Sequence, residues 1–243
     1  MSQEFLFGCE EELPMTFQVA MIGPDGWVLA SDGRGTRQGQ RTKRTTFETQ
    51  KIRYDNQVAS APSGDEIAQI ARDRIIEELS PDPTKLASSA FHRELERFAE
   101  RIWEAESAVG IGKISPGRDR GIIFMAVGSS TILYLGIGKQ SNISPSITTC
   151  VAGDPHNAGI YFIERYYEKQ PVNQLAVLAT HTVTQAARIN TMVSGMHAMA
   201  WRHGETDAKW LDADDYSLRS QQLERDMLAV MTTAMADTSG KGT

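Results

Sequence analysis

The order in which strand-like and helix-like segments follow one another constrains this 243-residue chain more than any single motif in it. Residues 16–22 (TFQVAMI) and 27–31 (WVLAS) flank a Gly23-Pro24-Asp25-Gly26 turn and read as a β-hairpin. The polar, basic stretch 34–50 reads as an excursion between strands, and a second short strand pair is expected at 51–55 and 57–61. From Ser63-Gly64-Asp65 the period changes. Ile67, Ile70, Ala71, Ile75 and Leu79 recur at helical spacing until Ser80-Pro81-Asp82-Pro83 stops the helix. Phe91, Leu95, Phe98 and Ile102 form the apolar stripe of a second helix. After a loop at 110–121, short apolar runs at 121–127, 130–137 and 146–152 read as strands. Two helices follow at about 157–169 and 172–190, then strands at 196–202 and 208–212, then a last helix over about 217–235.

Strands in blocks, separated by helix pairs, do not make the alternating βαβ pattern of a doubly wound parallel sheet. They suit an α+β fold, a four-layer α-β-β-α sandwich of two antiparallel sheets covered by helices. Residues 16–235 are expected to form this one domain. Residues 1–15 read as a leader, or as residues ahead of a true start at Met15, and 236–243 (ADTSGKGT) as a flexible tail. Composition narrows the function classes. With 25 Lys+Arg against 31 Asp+Glu the formal charge is −6, which argues against a dedicated nucleic-acid binder. No apolar run reaches the roughly 18–20 residues of a membrane span. The N-terminus lacks the basic region of a signal peptide, so a cytoplasmic location is expected. Cys9 and Cys150 lie far apart and without Cys/His spacing, which disfavours a disulfide framework and a zinc site. His181, His197 and His203 share no metal-binding spacing, and the G-x-G elements at 110–112 and 136–138 lack the rest of a nucleotide loop. No metal and no cofactor is expected.

The same order of elements, with the local run T-F-Q-V-A-M-I-G-P-D-G-W-V-L-A-S-D-G-R, resembles the proteasome β-type subunits of the N-terminal-nucleophile hydrolases and the bacterial HslV peptidase. The resemblance extends from Thr16 to about Met235. In that family a nucleophilic threonine opens a strand, and an Asp-x-Arg or Asp-x-Gln lies sixteen residues downstream. Asp32 and Arg34 stand there in this chain. Lys51, in Q-K-I-R-Y-D, matches the lysine at the head of the third strand, and A-P-S-G-D-E matches the glycine-bearing turn into the first long helix. The chemistry of such a set is simple. A threonine hydroxyl is a weak nucleophile that needs a base, and when threonine is the first residue its own α-amine can take the proton. A lysine beside the amine lowers the amine pKa, an aspartate holds the lysine, and backbone N–H groups at the turn stabilise the oxyanion. The resemblance assigns these tasks to Thr16, Lys51, Asp32 and the Ser63-Gly64 turn. Each residue also has a plain reading, as β-propensity, a solvated ion pair or an ordinary turn.

The chain departs from the pattern in two places. Asp154, in A-G-D-P, stands where the family has the serine of a Gly-Ser-Gly turn. Ser194-Gly195 matches a later Ser-Gly pair, but three residues earlier the family's aspartate is replaced by Thr191, with Asn190 beside it. Either Asp154 contributes the missing carboxylate or the site is weakened. An N-terminal nucleophile also requires loss of residues 1–15, and Pro14-Met15 replaces the glycine that usually precedes a self-cleaving threonine. Removal of an initiating Met15 would expose Thr16 more simply. Cleavage at Gly8-Cys9 is a rival, but Cys9 is out of register with Asp32 and Lys51. The resemblance thus implies a bacterial threonine-type endopeptidase acting on peptides or unfolded proteins inside stacked homo-oligomeric rings, with an ATPase regulator as a further partner. The alternative is a catalytically silent ring subunit of the same fold, serving as scaffold or binding shell.

Overall fold

The computed structural model describes residues 16–38, 44–48, 50–109, 120–153, 159–189 and 195–239. The chain begins with a tight hairpin, β1 (Phe17–Gly23) and β2 (Gly26–Ser31), closed by the pair Gly23↔Gly26. Every residue of both strands is buried. The reason is that β1 and β2 sit between two apolar layers. Phe17, Val19 and Met21 point to one layer and Ala20 and Ile22 to the other, as the two-residue period of a strand dictates.

The first sheet has the order β10-β1-β2-β11-β12, with β10 at Thr149–Gly153, β11 at His197–Arg202 and β12 at Lys209–Trp210. The second has the order β5-β6-β7-β8-β9, from Arg53–Asp55, Val58–Ser63, Gly121–Ala126, Ile132–Gly136 and Asn142–Ser146. All the strand pairs are antiparallel. The sheets face one another across Ala20, Trp27, Leu29, Ala59, Ile123, Met125 and Met199, and the Trp27 indole N–H donates to the Ala126 carbonyl at 2.8 Å across the gap.

On the outer face of the first sheet lie α4 (Gly159–Tyr166), α5 (Val172–Ile189) and α6 (Ala213–Ser239). The second sheet is covered by α1 (Glu66–Arg74), which continues through a π-helical turn at Ile75–Leu79, and by α3 (Ser89–Val109). A short α2 (Pro83–Leu86) joins them, its N-cap Asp82 accepting from the Lys85 N–H at 2.8 Å. Three apolar interiors separate four layers, the α-β-β-α sandwich expected from the order of elements.

Two strand assignments differ from expectation. The stretch after β2 is itself a hairpin, β3 (Arg34–Gln38) with β4 (Arg44–Glu48), paired outside both main sheets. Its polar composition gives no apolar alternation to read. The second difference is β9, NISPS, which holds a proline and no apolar pattern. It lies at a sheet edge, where a missing N–H costs no ladder bond. The last helix is longer at both ends than 217–235, and the 236–239 part of the expected tail lies within it.

Candidate active site

The hairpin register explains why Asp32 lies sixteen residues after Thr16. With Gly23 opposite Gly26 and Gln18 opposite Ser31, the next position places Asp32 against Phe17. The Asp32 N–H donates to the Phe17 carbonyl at 3.0 Å, and the Phe17 N–H donates to Asp32 Oδ1 at 2.9 Å. Asp32 is thus locked to the backbone just after Thr16, fully buried. Thr16 shares the parity of Gln18 and Ala20, which face the second sheet.

Lys51 lies on the segment that leads into the second sheet, two residues before β5, and its ammonium closes the site. Nζ donates to Asp32 Oδ1 and Oδ2 at 2.8 Å each and to Thr16 Oγ1 at 3.2 Å. An ammonium has three protons, and these three acceptors use all of them. Because Thr16 Oγ1 accepts from Lys51, its own proton is left for another acceptor. Burial pushes the Lys51 pKa below the ordinary lysine value, and the Asp32 charge and hydrogen bonds oppose that shift without cancelling it. Thr16 and Lys51 are each only 9% exposed, so the triad sits in a medium where charge interactions are strong.

The other expected residues divide. Ser63 ends β6, and Gly64 follows with φ +103°, a conformation that favours glycine. The Ser63 hydroxyl donates to the Gly121 carbonyl at 3.3 Å and so serves β7. Arg34 opens β3 opposite Glu48. Asp154, Asn190, Thr191 and Ser194 lie outside the described residues, as does Cys9. Gly195 is described: a methyl group added to it would lie 3.5 Å from the Gly33 Cα, so the chain there runs beside the Asp32-Gly33 segment.

Three supporting residues escaped the sequence reading. Gln18, fully buried, donates its side-chain N–H to the carbonyl of Pro62, one residue before Ser63-Gly64, and so ties the strand after Thr16 to that turn. Its Oε1 has no partner among the described residues. The signal was a lone amide in an otherwise apolar run. Gly153 lies against Thr16: with φ +115°, a Cβ there would fall 1.6 Å from the Thr16 carbonyl oxygen. Arg72 reaches the Lys51 carbonyl at 2.5 Å. Among the described residues no group of three or more His, Cys, Asp or Glu is placed to hold a metal ion, and no helix is long and apolar enough to cross a membrane.

The architecture, two antiparallel five-stranded sheets covered by helices, is a proteasome-like fold. Among solved structures the chain is similar to Anbu (ancestral beta-subunit) from Yersinia bercovieri, with TM-score 0.66 and 14% identity over 89% of this chain and 96% of that one. It is similar as well to Anbu from Hyphomicrobium sp. strain MC1, with TM-score 0.61 and 18% identity over 90% and 97%. A third similar structure is that of a helical assembly of the Anbu complex from Pseudomonas aeruginosa, with TM-score 0.60 and 15% identity over 89% and 96%. No protein-family model and no curated protein sequence matches the chain. These neighbours correct the resemblance drawn from the sequence. They are Anbu proteins rather than proteasome β subunits or HslV. At such identities the likeness establishes the fold.

Proposed function

We propose that this chain is a threonine-type endopeptidase whose nucleophile is Thr16 once its α-amine is free. The observation that carries the reading is the three-way contact of the Lys51 ammonium with Thr16 Oγ1 and both Asp32 oxygens. Thr16 Oγ1 attacks the scissile carbonyl carbon while its proton passes to the Thr16 α-amine. Lys51, held by Asp32, stabilises the developing alkoxide. Backbone N–H groups at the Ser63-Gly64 turn receive the oxyanion. Collapse of the tetrahedral intermediate returns the proton to the leaving amine and leaves an ester on Thr16. Water then attacks that ester by the same proton path, releasing the acid and restoring the hydroxyl.

Ser194, Arg34 and the segments holding Asp154, Asn190 and Thr191 complete the set in this proposal. The reading extends to a cytoplasmic homo-oligomer, on the support of the helical assembly formed by the Pseudomonas aeruginosa relative. Peptides or unfolded chains are its substrates, and an ATPase is the regulator it would work with.

The test is intact-mass determination of the N-terminus after native expression, with a Thr16→Ala variant and a peptide epoxyketone, which reacts only with a threonine hydroxyl beside a free amine. A chain that begins at Thr16 and takes up one epoxyketone, with Thr16→Ala taking up none, is the expected result. A chain that begins at Thr16 yet stays unlabelled refutes the peptidase. Retention of residues 1–15 in a fully assembled protein points to the silent scaffold instead.

A further inference from the structure

Lys51 lies on backbone that belongs to neither sheet. Residues 50–52 are outside the ladders, and β5 starts only at Arg53. The Lys51 carbonyl therefore has no strand partner, although the residue is buried, and a buried acceptor left without a donor is destabilising. Arg72 supplies the donor from α1. Its Nη1 donates to the Lys51 carbonyl at 2.5 Å, while Nε and Nη2 hold Asp73 at 2.9 and 2.7 Å. Asp73 in turn lies 3.5 Å from the Arg53 guanidinium on β5. One Arg-Asp unit on α1 thus grips the chain on both sides of Ile52.

The burial of Arg72 is unusual for its type. It is 5% exposed and shares a helical face with buried Ala68 and with Ile76 in the π-helical turn that follows, where an apolar residue is the ordinary choice. Burial lowers the proton affinity of the guanidinium, and Asp73 is the charge that opposes the shift. We propose that Arg72 is a positioning residue for Lys51, fixing the carbonyl of residue 51 and hence the line along which the ammonium reaches Thr16 and Asp32. Its effect on catalysis rests on the peptidase reading; its effect on Lys51 does not.

The leverage is large. A rotation of about 10° at the Lys51 Cα, acting over a stem about 6 Å long, displaces Nζ by about 1 Å. A misplacement of that size costs about 10²-fold in rate. A solvent-open cleft of about 470 Å³, walled by Gln50, Ile52, Arg53, Arg72, Asp73 and Trp210, gives small cations access to the Arg72 position.

The experiment uses the full chain with Arg72→Ala and Arg72→Lys, reading peptide hydrolysis, epoxyketone uptake and the Nζ resonance of ¹⁵N-lysine-labelled protein. For Arg72→Ala, kcat falls about 30- to 100-fold with KM within about twofold. The Lys51 resonance moves toward that of an ordinary exposed lysine, and millimolar guanidinium restores both where ammonium does not. Arg72→Lys keeps the charge but lacks the fork, so it stays folded with the same fall in kcat. It decides the matter if Arg72→Ala does not fold. A folded variant with parental kcat and an unmoved Lys51 resonance, merely melting lower, overturns the proposal. If the parent neither hydrolyses peptide nor takes up epoxyketone, the peptidase reading falls, and the Lys51 resonance alone decides the role of Arg72: movement reversed by guanidinium supports it, and no movement overturns it.

Discussion

Replacing Lys51 with Met removes the cation that meets both oxygens of a fully buried carboxylate. Breaking a buried pair by deleting one partner costs about 3–5 kcal/mol, because the other charge stays behind in a poor solvent. Asp32 keeps the Phe17 N–H at 2.9 Å, which puts the expected cost at the lower end, about 3 kcal/mol. For a chain of this length that corresponds to a melting temperature lower by roughly 6–12 °C. The partner experiment is Lys51→Met with Asp32→Asn. The amide removes the stranded charge, and its oxygen can still accept from Phe17, so the double variant should recover about 1–3 kcal/mol relative to Lys51→Met alone. Both are measured by thermal and urea unfolding at one fixed protein concentration, since assembly would otherwise shift the apparent stability. A single variant within 1 kcal/mol of the parent, or a double variant losing the sum of the two single losses, would refute the reasoning that a desolvated ion pair holds the site together.

Gly153→Ala places a Cβ 1.6 Å from the Thr16 carbonyl oxygen at φ +115°. It should cost about 2 kcal/mol or more and slow epoxyketone uptake at Thr16 at least about tenfold; parental labelling would show that β10 does not seat Thr16. His181 is buried in a T-shaped contact with the Phe162 ring, its Nδ1 3.0 Å from Ser220 Oγ. Burial pushes its pKa below the ordinary value, and Glu224 on α6 opposes this while Arg188 on its own helix adds to it. The unfolded chain therefore binds the extra proton first, and stability falls as pH drops below about 6.5. His181→Phe should flatten that slope between pH 7.5 and 5.5 in urea titrations, and an unchanged slope would assign it to other groups.

How much of this was legible in the sequence follows from what each signal depends on. The layer order came from periodicity and turn residues, which act over a few neighbours. The Thr16–Asp32 spacing is also local, because a two-residue turn at Pro24-Asp25 fixes the register of one hairpin and so sets Asp32 beside Phe17. The polar hairpin at β3 and β4 and the proline-bearing edge strand β9 were illegible for the same reason: neither carries the apolar alternation that a buried face imposes.

Tertiary structure decided the rest. Lys51 meets Thr16 only because two sheets stack face to face, bringing together the residue that precedes β1 and the segment that leads into β5, which no local interaction connects. In the sequence, Gln18 is one amide among apolar neighbours and Arg72 one arginine on a helix that carries several polar residues. Their roles exist only once Pro62 and the Lys51 carbonyl are folded against them. The sequence by itself determined the layers and the Thr16–Asp32 half of the candidate site's geometry, because both follow from local period and register. Which buried polar groups would have to satisfy one another was settled by the packing, since a buried donor takes whichever acceptor the fold brings within reach.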